Sequence, residues 1–224
     1  MNWANRVTIL RLIFIPIIGI LMTLPSVNGV FYGVLTDWEL HVGSYHLNYL
    51  YLIAGILFII ASLTDMLDGY LARKYNQVTT FGKFFDSIAD KLLTNTVLII
   101  FAVCQILPVW MVVLLICRDF LIDVVRQILA TSNVVMAANK LGKYRAAVEM
   151  LGLTILFFVG WTNFTGATIA GTGEYGYINQ IVMIPMYVAT LLSVISAFNY
   201  IALNRHVLFA GMKNPKKDVE DEKK

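Results

Sequence analysis

Long apolar runs alternate with short polar breaks along this chain. The runs lie near 7–25, with an extension toward 35, then 47–70, 82–106, 108–131, 142–163 and 177–204. Each is long enough, as a helix, to cross a hydrocarbon core of about 30 Å. Alternation of period two is absent, which argues against a membrane barrel, and no internal repeat is visible. The pattern predicts an all-α, polytopic membrane protein with six transmembrane helices. A tight turn near Pro108 joins the third run to the fourth. Trp110 at that turn and Trp161 at the end of the fifth run suit an interfacial aromatic belt.

Composition agrees with the pattern. Of 224 residues, 58% are hydrophobic and 14% charged, against about a quarter charged in ordinary soluble domains. Mean hydropathy is +0.73. The 17 basic residues are absent from 26–46, 105–109 and 164–176. Basic residues stay on the cytoplasmic side, so those three loops are predicted outside and both termini inside, as an even number of spans requires. The expected organisation is a six-helix membrane domain over 1–206 and a charged, disordered cytoplasmic tail over 207–224. The opening MNWANRVTILRLIF lacks the small-residue cleavage site of a signal peptide and is read as a retained first segment. Cys104 and Cys117 have no metal-type spacing and read as small buried hydrophobes. His41 and His46 read as solvated residues of an outer loop. No nucleic-acid partner is expected.

Chemistry concentrates in TDMLDGYLARKYNQVTTFGKFFDSIADK, residues 64–91. Counted from Leu47, Asp65 lies roughly 27 Å along its helix, near the inner boundary. Asp65 and Asp68 are three apart and share one helix face, and Asp86 and Asp90, four apart, share another. The two pairs can converge in a pocket open to the cytoplasm. Carboxylates gathered in low dielectric repel one another unless protons or cations neutralise them. Oxygen-only ligation favours hard divalent ions such as Mg²⁺, Mn²⁺ or Ca²⁺, and such ions are most useful beside phosphates. Gly69, Ala72 and Gly82 leave room for a ligand to approach the backbone; Arg73 can contact a phosphate. The bland alternative gives the glycines to helix packing and Arg73 to headgroup anchoring.

The pattern Asp65-x-x-Asp68-Gly69-x-x-Ala72-Arg73, then eight residues, then Gly82-x-x-x-Asp86-x-x-x-Asp90 resembles the signature of the CDP-alcohol phosphotransferases. These are six-helix membrane enzymes, typically homodimeric, that pass the phosphoryl group of a CDP-alcohol to a second alcohol and release CMP. NRVTILRLIFIP, YLARKYNQVTTFGKFFD, IADKLL, Arg118-Asp119 with Arg126, and Lys140-Leu141-Gly142-Lys143 resemble one branch of that family. In that branch a short membrane-surface stretch leads into the first span, CDP-diacylglycerol is the donor and sn-glycerol 3-phosphate the acceptor. Ser87, Asp119, Asp123 and Ala146 depart from the residues usual there, and none belongs to the eight-residue signature.

The resemblance implies two divalent ions, Mg²⁺ or Mn²⁺, held by Asp65, Asp68 and Asp86 with Asp90 contributing. It implies Asp90 as general base, and Gly69, Ala72, Arg73 and Gly82 around the CDP-lipid. Asn5 and Thr8 fall at the site mouth. It further implies a homodimer in the cell membrane, in contact with membrane lipids, with the site facing the cytoplasm.

Counted from Pro108, Arg118 lies roughly 15 Å and Arg126 roughly 27 Å into the fourth run. Arginine at such depth is costly and by default functional. One reading pairs Arg118 with Asp119, Asp123 or another helix as structural glue, and Asp123 with Arg126 as a local ion pair. The other gives Arg118, Arg126, Lys140 and Lys143 to an acceptor phosphate, which needs such a cluster where a neutral alcohol does not. Arg145 is expected at the surface, on anionic headgroups. Inositol phosphate and phosphatidylglycerol are alternative acceptors. A divalent-cation transporter is the reading from another class, but the second and third runs read as apolar beyond their aspartate-bearing inner ends, and no run shows the paired Gly/Pro interruptions of broken-helix transporters.

Overall fold

A computed structural model of the protein describes residues 3–25, 39–42, 45–74, 80–131, 140–159 and 176–210. Side chains are described over 8–25, 39–40, 47–64, 88–129, 141–159 and 180–205. Six helices fall on the six apolar runs: α1 (Trp3–Thr23), α2 (Tyr49–Lys74), α3 (Thr80–Val103), α4 (Val109–Thr131), α5 (Lys140–Val159) and α6 (Gly176–Ala210). α1 is one continuous helix from Trp3, with no break at the start of the predicted span. α6 runs past the boundary drawn at 206. The remaining tail lies outside the described residues.

Ahead of α2 stands a hairpin absent from the sequence reading. β1 (Glu39–Val42) and β2 (Tyr45–Asn48) pair antiparallel and place His41 opposite His46. Asn48 then caps α2, its side-chain oxygen accepting from the Leu50 N–H at 2.8 Å. The predicted turn between α3 and α4 is present. The N–H groups of Gln105 and Ile106 donate to the carbonyls of Ala102 and Phe101, at 3.1 and 2.9 Å. That is a Schellman closure, with Gln105 in the left-handed region at φ 60°. Pro108 starts α4: its carbonyl accepts from Met111 at 3.0 Å, and its missing N–H is no loss at a helix start.

An aromatic seam holds α2, α3 and α5 together. Phe101 meets Phe157 edge-on with ring centroids 5.0 Å apart, and Phe58 meets Phe157 at 5.3 Å. Gly55 lets α5 come this close, since a Cβ there would lie 2.9 Å from the Phe157 Cβ. α1 packs on α2 and α3, while α6 packs on α4 and α5.

The outward surface is apolar: Ile13, Ile20, Ile53, Ile60, Val113, Phe120, Ile184 and Phe198 are all exposed. Cys117 is exposed as well, not buried as expected, and Cys104 is half-buried with its Sγ 3.2 Å from the Tyr51 hydroxyl. Among the described residues, Gln180–Arg205 is the segment long and apolar enough to cross a membrane; Thr8–Thr23 and Tyr49–Thr64 are shorter apolar helices. α4 is 23 residues long, but Arg118, Asp119, Asp123 and Arg126 interrupt its apolar run.

Candidate active site

The charges that interrupt the helices face one another. A cavity of about 170 Å³ opens between α3, α4 and α5, lined by Asp90 and Lys91 from α3, by Arg118, Asp119, Asp123 and Arg126 from α4, and by Gly142, Arg145 and Glu149 from α5. Isolated charges would not survive in so apolar a bundle, and most of these are paired. Lys91 binds Asp123 across α3 and α4. Arg118 donates to Asp119 Oδ1 at 3.0 Å and to Ser196 Oγ of α6 at 2.9 Å. Arg145 bridges Asp119, with Nη1 to Oδ1 at 2.7 Å, and Glu149, with Nη2 to Oε2 at 2.8 Å.

Two readings from the sequence change here. Arg145 is buried inside this network, so it does not lie at the headgroup surface. Asp123 takes Lys91, not Arg126, as its partner. Among the described residues Arg126 has no ion-pair partner. The Nε of Arg118 is buried with no hydrogen-bond partner among them. Four cations and four carboxylates line the cavity. The unsatisfied guanidinium donor and the unpaired guanidinium both favour an anion. The first turn of α5 adds to this, since Gly142 lines the cavity and a helix start carries partial positive charge.

Arg118, Arg126 and Asp90 thus come together, with Asp90 half-buried. Lys143 is exposed beside Gly142 and is not part of the cavity lining. Lys140 opens α5, but its side chain lies outside the described residues. Thr8 is buried on α1, whereas the side chain of Asn5 is not described. The side chains of Asp65, Asp68, Ala72, Arg73 and Asp86, and the surroundings of Gly69 and Gly82, are also outside what the structure describes. Their backbones occupy the last turns of α2 and the first turns of α3, and only residues 75–79 separate the two helices. Both aspartate pairs therefore sit at the same end of the bundle. Among the described residues no three His, Cys, Asp or Glu side chains form a group able to hold a metal ion.

The sequence reading passed over two buried charges. Arg11 on α1 is among the largest fully buried side chains, three residues from Thr8. Glu149 on α5 is buried too. Both carried the same signal: a charge inside an apolar run.

A helical bundle with a lipid-like exterior, an acid signature at one end and an anion-seeking cavity beside it defines an enzyme of phosphate-linked lipid chemistry. The chain belongs to the CDP-alcohol phosphatidyltransferase family, whose family model matches residues 1–208. It is similar to a protein of Bacillus subtilis (strain 168) named CDP-diacylglycerol–glycerol-3-phosphate 3-phosphatidyltransferase, 42% identical over 156 residues, 69% of this chain and 76% of the relative. A Mycoplasma genitalium protein of the same name is 36% identical over 168 residues, 75% of this chain and 70% of its own. A Wigglesworthia glossinidia brevipalpis protein of that name is 27% identical over 214 residues, 93% of this chain and 98% of its own.

Proposed function

We propose that the protein transfers the phosphatidyl group of CDP-diacylglycerol to sn-glycerol 3-phosphate, giving phosphatidylglycerophosphate and CMP. The observation that carries this is the cavity in which the last aspartate of the signature, Asp90, meets Arg118 and Arg126. A nucleophile's proton acceptor and guanidinium groups for a phosphate share one space. The naming of the relatives supports the same substrates.

In this reading the acceptor phosphate binds Arg118 and Arg126, with Lys143 and Lys140 at the cavity mouth. Its free primary hydroxyl faces Asp90. The carboxylate takes the hydroxyl proton as the oxygen attacks the phosphorus bearing diacylglycerol. The bond from that phosphorus to the CMP oxygen breaks, and CMP leaves. Gly69, Ala72, Arg73 and Gly82 surround the nucleotide. The all-oxygen donor set of Asp65, Asp68, Asp86 and Asp90 suits Mg²⁺ or Mn²⁺. Two such ions would neutralise charge on the diphosphate and on departing CMP.

The six helices span the membrane with both termini and the acid end in the cytoplasm. That orientation rests on the distribution of lysine and arginine and on the apolar exterior. The protein works as a homodimer.

The test is CMP release by purified protein with CDP-diacylglycerol, Mg²⁺ and one acceptor at a time: glycerol 3-phosphate, inositol phosphate, phosphatidylglycerol or serine. Release with glycerol 3-phosphate alone is expected. Release with another acceptor and not with glycerol 3-phosphate overturns the acceptor assignment.

A further inference from the structure

Glu149 lies one turn beyond Arg145 on α5, with its side chain 5% exposed. It makes no hydrogen bond or ion pair with Arg118. It reaches Arg118 through two intermediaries that are themselves nearly buried. The Glu149 carboxylate accepts from Arg145 Nη2 at 2.8 Å. Arg145 forks onto Asp119, Nη1 to Oδ1 at 2.7 Å and Nη2 to Oδ2 at 3.1 Å. Asp119 Oδ1 in turn accepts from Arg118 Nη1 at 3.0 Å. Ser196 holds the other amino group of Arg118. The guanidinium of Arg118 is therefore fixed at two points, and one of them depends on a chain that ends at Glu149.

We infer that Glu149 is a positioning residue for the acceptor phosphate site, acting through Arg145 and Asp119 on the orientation of Arg118. The inference rests on the acceptor reading above. Without an acceptor at position 149, the Arg145 guanidinium is held by Asp119 alone and can pivot. Asp119 moves with it and loosens its hold on Arg118. A guanidinium held by Ser196 alone swings, and its fork no longer meets a phosphate at a set angle. The role is one of hydrogen-bond geometry, not of net charge.

That distinction makes it testable. Glu149→Ala and Glu149→Gln each remove one negative charge, but glutamine keeps an oxygen that can accept from Arg145. Initial rates of CMP release by the full-length protein, with glycerol 3-phosphate and CDP-diacylglycerol varied separately, give each KM. Glu149→Ala is expected to raise the glycerol 3-phosphate KM about tenfold, the scale of one lost charge-assisted hydrogen bond, with the donor KM unchanged. Glu149→Gln is expected to restore the acceptor KM to within about twofold of the parent, under about a third of the tenfold effect on a logarithmic scale. In an Arg118→Ala background, Glu149→Ala should add almost nothing, because the pathway runs through Arg118.

Equal acceptor KM values for the alanine and glutamine variants would overturn the inference, as would full additivity with Arg118→Ala. If Glu149→Ala does not fold, Asp119→Ala removes the next link, and an unchanged acceptor KM there also overturns it. An acceptor KM unmoved by Arg118→Ala alone would instead refute the acceptor reading itself, so the two failures are distinguishable.

Discussion

Replacing Arg118 by alanine is the perturbation whose size is best fixed by the structure. The guanidinium makes two hydrogen bonds, to Asp119 at 3.0 Å and Ser196 at 2.9 Å, and keeps a buried Nε without a partner among the described residues. Hydrogen bonds to a charged group contribute about 1.5–3 kcal/mol. Losing that from the bound acceptor lowers kcat/KM for glycerol 3-phosphate by about 10- to 150-fold. The fold suffers less. Asp119 stays clamped by both amino groups of Arg145, so no buried carboxylate is stranded, and the structural cost is about 1–2 kcal/mol. The assay is steady-state CMP release with each substrate varied in turn. The donor KM should change less than about twofold, well below the change for the acceptor. Arg118→Lys keeps the charge and loses the fork, and should fall between the parent and the alanine variant. An equal rise in both KM values would refute the reasoning and make Arg118 a brace between α4 and α6.

Three further outcomes follow from the same picture. Asp90→Asn should abolish turnover while CDP-diacylglycerol still binds with Mg²⁺, whereas Asp86→Asn should weaken metal binding itself; isothermal titration of each variant separates the two. EDTA should stop CMP release and added Mg²⁺ or Mn²⁺ should restore it, while activity that survives chelation would remove the metal from the account. Gly55→Ala should destabilise the bundle by about 1–3 kcal/mol, the usual cost of overpacking, because its Cβ would press on the Phe157 Cβ at 2.9 Å, next to rigid backbone; an unchanged thermal unfolding midpoint in detergent would contradict this.

Helix positions were legible because a segment that must satisfy its backbone in an apolar setting leaves a long unbroken run. The pairing of Asp65 with Asp68 and of Asp86 with Asp90 was legible because helical spacing is fixed. What escaped the sequence depends on partners far along the chain. Arg145 and Glu149 stand four apart in plain view, yet whether Arg145 meets lipid or Asp119 is decided by how α5 faces α4. The alternation in Glu39–Val42 and Tyr45–Asn48 is too short to signal strands without their pairing. Gln105 gives no local cue for a left-handed backbone, which glutamine seldom adopts. Cys117 has the composition of a core residue, and the face of α4 that carries it happens to look outward.

The most direct test of the central claim follows labelled glycerol 3-phosphate through the purified protein with CDP-diacylglycerol and Mg²⁺. Label should pass into the organic-extractable lipid, with one CMP released for each lipid formed, and the Asp90→Asn variant should give neither product. CMP release without label in the lipid would contradict the account, since the diphosphate would then be broken with no acceptor bound in the arginine-lined cavity.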